Sequence, residues 1–181
     1  SYQEIVMNAD MPTICYIVYP LSRYPSIHRD EPIGTAVNRL LNSSSYDGIH
    51  LHFDELLVLN RSKELVGHLS IRDIICCFFP SVMQSSTPVF SGKQEQFTEL
   101  SSLLGSNFHK ECRRQLAQPA ERYMTAPKNS IPSNTHLLHA LEIMVKENRN
   151  SLPVLESNIL IGAVRINDIF RVLGTTYCTA L

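Results

Sequence analysis

The chain has 181 residues, 44% of them apolar, and a formal net charge of −1. That length supports one domain or two small ones around a sizeable core, and near-neutrality excludes nucleic-acid binding driven by a broad basic surface. Five cysteines (Cys15, Cys76, Cys77, Cys112, Cys178) form no CxxC pair, which argues for reduced thiols in a cytoplasmic setting over a disulfide framework or a metal site.

Residues 1–23 read as an N-terminal arm. Pro12, Pro20 and Pro25 interrupt any long element, and Tyr16, Val18 and Leu21 suit a strand or a tucked segment. The apolar stretch Ile14 to Tyr19 is far shorter than the ~20 residues of a membrane span. It also lacks the flank and cleavage site of a signal peptide, so no membrane partner is expected.

A first unit covers 24–80. Tyr24 to His28 is short and extended, and Pro32 opens a helix with an apolar stripe at Ile33, Ala36, Val37, Leu40 and Leu41. Asn42 to Gly48 is a loop by composition. Leu56 to Leu59 and Leu65 to Gly67 are strands, and Ile74, Ile75, Phe78 and Phe79 follow at helical spacing. Ser70 and Asp73 stand at that helix start, where free N–H groups and the positive dipole end suit an anionic ligand.

Residues 81–118 form a linker. Ser81 to Lys93 is rich in Ser and Pro, while Phe97, Leu100, Leu103, Leu104 and Phe108 predict an amphipathic packing helix. It continues from His109 to Leu116 with Arg113 and Arg114 facing outward.

A second unit covers 119–181. Asn129 to Ile131 is its short strand, Ser133 or Asn134 caps a helix carrying Leu137, Leu138, Leu141, Ile143, Met144 and Val145, and Leu152 to Leu155 and Ile159 to Gly162 are strands. The last helix is expected from about Asp168 to Leu173, stopped by Gly174. Both units read strand, helix, strand, strand, helix, with Ala36 matching Ala140, Leu57 matching Pro153 and Gly67 matching Gly162. Gly67-His68-Leu69-Ser70-Ile71-Arg72-Asp73 and Gly162-Ala163-Val164-Arg165-Ile166-Asn167-Asp168 share one spacing, so an internal repeat is expected.

These residues, with Met124-Thr125, Ser151-Leu152-Pro153-Val154-Leu155-Glu156 and Asp168-Ile169-Phe170, resemble the cystathionine-β-synthase (CBS) domain in its tandem, stand-alone bacterial form. The resemblance implies an α+β fold of two βαββα repeats packed in pseudo-twofold symmetry, with two clefts between repeats that take adenosine compounds. It implies a homodimer and no catalysis. Cleft A would use Ser70, Arg72 and Asp73, walled by Asn129, Ser130, Arg149, Asn150 and Ser151. The Asp would hold the ribose hydroxyls, and Arg149 would offer charge to a phosphate. Cleft B would use Arg165 and Asp168, walled by Pro25, Ser26, Phe53, Asp54 and Glu55. Arg165 departs from the expected Ser or Thr, so cleft A is expected to be the better site.

Plainer roles suit the same residues. Asp73 and Asp168 fit helix caps, Ser70 a capping turn, Arg149 a solvated turn, and Arg165 an ion pair with Asp54 or Glu55. His136 with His139, and His50 with His52, fit solvated faces better than metal sites. No motif suggests a nucleophile with its base. The function expected is regulatory sensing of AMP, ADP, ATP or S-adenosylmethionine. The alternative is a structural dimerisation or partner-docking module with empty clefts.

Overall fold

The structure, a computed structural model, describes residues 12–43, 51–78, 107–127 and 129–175. Its strands are β1 (Tyr19–Pro20), β2 (Ser26–His28), β3 (Glu55–Leu59), β4 (Leu65–Ser70), β5 (Ile131–Pro132), β6 (Ser151–Glu156) and β7 (Ile159–Arg165). Its α-helices are α1 (Ile33–Asn42), α2 (Ile71–Phe78), α3 (Asn107–Leu116), α4 (Leu137–Glu147) and α5 (Ile166–Leu173). They fall into two compact units. One is continuous, Pro25–Ala126. The other is split in sequence, Ser1–Tyr24 with Pro127–Leu181.

In the continuous unit β2 runs parallel to β3, and β3 antiparallel to β4. Ile33, Ala36 and Leu40 form the buried stripe of α1, and Leu56, Leu57, Val58 and Leu69 are fully buried in the sheet. The β3–β4 turn is closed by Asn60, whose side chain bonds both the backbone N–H and the carboxylate of Glu64. Lys63 takes the left-handed conformation there (φ 61°).

The split unit repeats this plan. β5 runs parallel to β6, and β6 antiparallel to β7. Ser157 and Asn158 both have positive φ (49° and 63°), as a two-residue hairpin turn requires. The registers coincide: Val58 faces Gly67 as Val154 faces Gly162, and the ladder shifts just after each pair, at Val58/Leu59 and Val154/Leu155. Ala36 and Ala140 are fully buried in α1 and α4. Both units are thus βαββα, with the expected residue pairs in matching places.

Both glycines are required by a segment that comes from outside the βαββα core. In the continuous unit Thr125 bridges His68, and a Cβ on Gly67 would meet Met124 Sδ at 2.7 Å and Thr125 O at 2.9 Å. In the split unit β1 pairs with β7, and a Cβ on Gly162 would meet Tyr19 C at 2.9 Å and Pro20 Cα at 3.1 Å. A short 3₁₀ turn precedes each segment, at Ala120–Arg122 and Ile14–Tyr16. Each turn is held by its first N–H, from Ala120 to Glu31 O and from Ile14 to Thr135 O.

Several boundaries differ from the sequence expectations. The cap of α4 is His136, whose ring accepts from Leu138 N, rather than Ser133 or Asn134. Their place is taken by a turn in which Thr135 N bonds Pro132 O. The short strand is Ile131–Pro132, so Asn129 and Ser130 precede it. Helix α5 begins at Ile166, because Arg165 is still extended (φ −108°, ψ 149°) and β7 passes straight into the helix. Gly174 ends α5 in a right-handed conformation. Arg113 and Arg114 of α3 are exposed as expected. The expectations for Ser81 to Lys93, for Phe97 to Leu104 and for His50 lie outside the described residues.

Candidate functional site

The shared spacing of the two motifs puts Ser70 and Arg165 at the ends of β4 and β7, with Asp73 and Asp168 in the first turns of α2 and α5. Each unit therefore has a strand-to-helix corner carrying a carboxylate. The chemistry of the two corners differs.

In the continuous unit, Ser70 N and Ser70 Oγ donate to Asp73 Oδ2 at 2.8 and 2.6 Å, and Ser70 Oγ accepts from Asp73 N at 3.1 Å. This is a reciprocal capping box. It holds the Asp73 side chain in one orientation and uses one oxygen. Oδ1 accepts no hydrogen bond from any described residue. Arg72 is exposed, and among the described residues the capping network consists of Ser70 and Asp73 alone. Glu55 lies opposite Ser70 in the ladder and is buried, while the exposed Asp54 accepts from Ile71 N through its carbonyl.

In the split unit, Arg165 forks onto Asp168: Nε donates to Oδ2 at 2.7 Å and Nη2 to Oδ1 at 2.9 Å. Both carboxylate oxygens are engaged. The two side chains are each only 17% exposed. Burial opposes the charge on Arg165, but the hydrogen bonds and charge of Asp168 outweigh it, so its pKa is raised. The guanidinium also lies over the Tyr19 ring, 4.8 Å from the centroid. Tyr19 packs edge-on against Tyr24, and the Tyr24 hydroxyl donates to Ser151 Oγ at 3.3 Å. Ser151 sits opposite Arg165 in the ladder. Arg165 gives α5 no side-chain cap, unlike Ser70 in α2.

A third feature lies at the end of α4. Asn148 takes the left-handed conformation (φ 51°) and Arg149 N returns to Met144 O at 2.9 Å, a Schellman-type stop. This turn fixes Arg149, which is only 8% exposed. Its Nη1 and Nη2 are buried without a hydrogen-bond partner. Nearby in sequence, Asn129 Nδ2 donates to Glu147 Oε1 at 2.5 Å, and Glu147 Oε2 is buried without a partner. Ser130 is half-buried, and Asn150 is exposed with its carbonyl accepting from Ile166 N.

Of the residues expected from sequence, Ser70 and Asp73 come together in the continuous unit, with Arg72 exposed beside them. Asn129, Ser130, Arg149, Asn150, Ser151, Arg165 and Asp168 belong to the split unit. Tyr19 and Tyr24 were not singled out as site residues. Two aromatic side chains near a β-edge carry no motif, and only the β1–β7 pairing puts them at the corner. Among the described residues no group of three or more His, Cys, Asp or Glu is placed to hold a metal, and no helix is long and apolar enough to cross a membrane.

Residues 120–175 match the family model for the CBS domain. This stretch is a CBS domain. It contains Arg149, Asn150, Ser151, Arg165 and Asp168, and the continuous unit has the same βαββα plan outside the matched residues. No curated protein matches the chain. Among solved structures, the chain is similar to the CBS domains of a transcriptional regulator from Streptococcus pneumoniae, at 14% identity, covering 90% of this chain and 99% of that one with a TM-score of 0.58. It is also similar to the CBS-pair protein CBSX2 from Arabidopsis thaliana, at 18% identity, 90% and 94% coverage and a TM-score of 0.61. A CBSX2 structure in complex with AMP matches at 16% identity, 88% and 93% coverage and a TM-score of 0.59. At these identities the likeness establishes the fold.

Proposed function

We propose that the chain is a regulatory module that binds an adenine nucleotide and has no catalysis of its own. The observation that carries this is the Arg149 guanidinium, buried with both Nη atoms unpartnered. A buried charge without partners costs several kcal/mol, and native structures rarely keep one unless an ion or ligand meets it. A phosphate supplies paired oxygens that suit a guanidinium fork. Arg149 therefore favours AMP, ADP or ATP over the cationic S-adenosylmethionine. In the continuous unit, taken by itself, the oriented Asp73 carboxylate leaves Oδ1 without a hydrogen bond from any described residue, which suits hydroxyl donors such as those of a ribose. The CBSX2 structure in complex with AMP shows a protein of this fold with such a ligand.

Calorimetric titration tests this. AMP and ATP are expected to bind the wild type and adenosine to bind more weakly. Arg149→Ala is expected to remove that difference, a loss of roughly tenfold to hundredfold for the nucleotides, corresponding to about 1.5–3 kcal/mol for hydrogen bonds to a charged group. Equal binding of adenosine and AMP by the wild type would refute the role of Arg149.

One observation favours a structural dimerisation or docking module instead. Ile75 of α2 and Phe170 of α5 hold the same position after their Asp residues and are 48% and 74% exposed. Such repeated apolar exposure suits a covered face. Under this reading no adenosyl compound raises the melting temperature, yet light scattering gives a homodimer that Phe170→Ser dissociates.

A further inference from the structure

We infer that Arg165 is a built-in occupant of the split unit's corner, so that this corner is closed to nucleoside ligands and one substitution opens it. The inference rests on the nucleotide reading above and adds a specificity-determining residue to it.

The argument starts from the matched positions. Ser70 and Arg165 both end a strand three residues before the Asp. At the continuous unit's corner the serine leaves Asp73 Oδ1 open. At the split unit's corner Arg165 takes both oxygens of Asp168 through two parallel N–H···O bonds. A carboxylate bound in that way has surrendered the acceptors that vicinal hydroxyls would need.

Two further contacts keep the arginine in place. The Tyr19 ring lies against one face of the guanidinium, and Tyr19 is fixed by pairing with Ala163 on β7 and by Tyr24. Tyr24 in turn bonds Ser151, the ladder partner of Arg165. A planar cation stacked on the Tyr19 ring and forked onto Asp168 occupies both the ring face and the carboxylate oxygens of this corner. Displacing it would leave a partly buried cation without its counter-charge. Ribose hydroxyls, being neutral, offer no compensation for that loss at the carboxylate.

The experiment is calorimetric stoichiometry with AMP on four proteins: the wild type, Asp73→Ala, Arg165→Ser, and the double variant. The expected values are one equivalent per chain for the wild type, one equivalent weakened roughly tenfold to hundredfold for Asp73→Ala, two for Arg165→Ser, and one tight with one weakened for the double variant. The opened corner is expected to bind within about tenfold of the first, since a serine there restores the arrangement seen at Ser70. An Arg165→Ser protein that still binds one equivalent overturns the inference while leaving the nucleotide reading intact, as does a wild type that binds two. A wild type that binds none, with Arg165→Ser binding one, overturns the reading for the continuous unit and upholds the closed corner. No binding by any of the four overturns both. A purely structural role for the ion pair would change melting temperature without changing stoichiometry. Arg165→Thr, whose β-branched side chain suits a strand end, repeats the measurement if the serine variant does not fold.

Discussion

The two units share a βαββα scaffold and differ at the corner that scaffold presents. Strand order, register, ladder shift and the glycine beneath the crossing segment are all repeated. At the corner, Ser70 caps its helix and leaves half of Asp73 available, whereas Arg165 consumes Asp168 and leaves its helix without a side-chain cap. Duplicated folds keep the residues that packing demands. At the end of the same strand the residue differs, serine in one unit and arginine in the other.

The largest expected effect tests the shared scaffold. Gly162→Ala puts a Cβ against the backbone of Tyr19 and Pro20, which cannot yield without breaking the β1–β7 pairing. A loss of about 3–5 kcal/mol is expected in chemical denaturation. Gly67→Ala meets Met124 Sδ, at the flexible part of a side chain, and then Thr125 O. About 1–3 kcal/mol is expected there. Equal losses would show that the two crossings are equally tight.

The corners themselves come next. Asp73→Ala should weaken AMP binding roughly tenfold to hundredfold, while Asp168→Ala should leave it unchanged and lower the melting temperature. If only Asp168→Ala abolishes binding, the corners have the opposite roles. A smaller effect concerns the caps. Ser70→Ala should destabilise the continuous unit by about 1 kcal/mol, and substituting Arg165 has no side-chain cap to remove. The smallest concerns thiols. Burial raises the Cys77 pKa, against a lowering hydrogen bond from Tyr123, so little thiolate forms near neutral pH. Cys15 is exposed. Alkylation followed by mass spectrometry should mark Cys15 early and Cys77 only on unfolding. Early labelling of Cys77 would mean that α2 opens locally.

The repeat was legible because its signals are local. A glycine, then an Asp six residues on, then an apolar helix face are consequences of one hairpin turning into one helix, and both copies preserve them. Ala36 and Ala140 were legible for a similar reason, as small residues on a buried stripe. The contents of the corners were only partly legible. Spacing placed Arg165 beside Asp168, but Asp54 and Glu55 competed as its partners, and only the fork geometry shows how fully Asp168 is engaged within its own unit. Arg149 is the clearest case of a residue whose environment the sequence hides. Arginine in a helix-terminal turn is ordinarily solvated, and the left-handed Asn148 that turns it inward leaves no motif. Tyr19 was illegible because its partners, Arg165 and Ala163, lie at the far end of the chain.

That last separation bears on how the molecule is made. The continuous unit has all of its described strands between Ser26 and Ser70 and its crossing segment by Thr125, so these have all been synthesised before Ile131. The split unit cannot close its β1–β7 edge until Gly162 has been synthesised, although Tyr19 and Pro20 emerge before the whole continuous unit. Its nascent β1 must wait, unpaired, through the whole translation of its neighbour. Loop closure over such a span is slow relative to local pairing, and domains tend to fold as they emerge. Folding should therefore show two phases, with the stacking of Arg165 on Tyr19 among the final contacts to form.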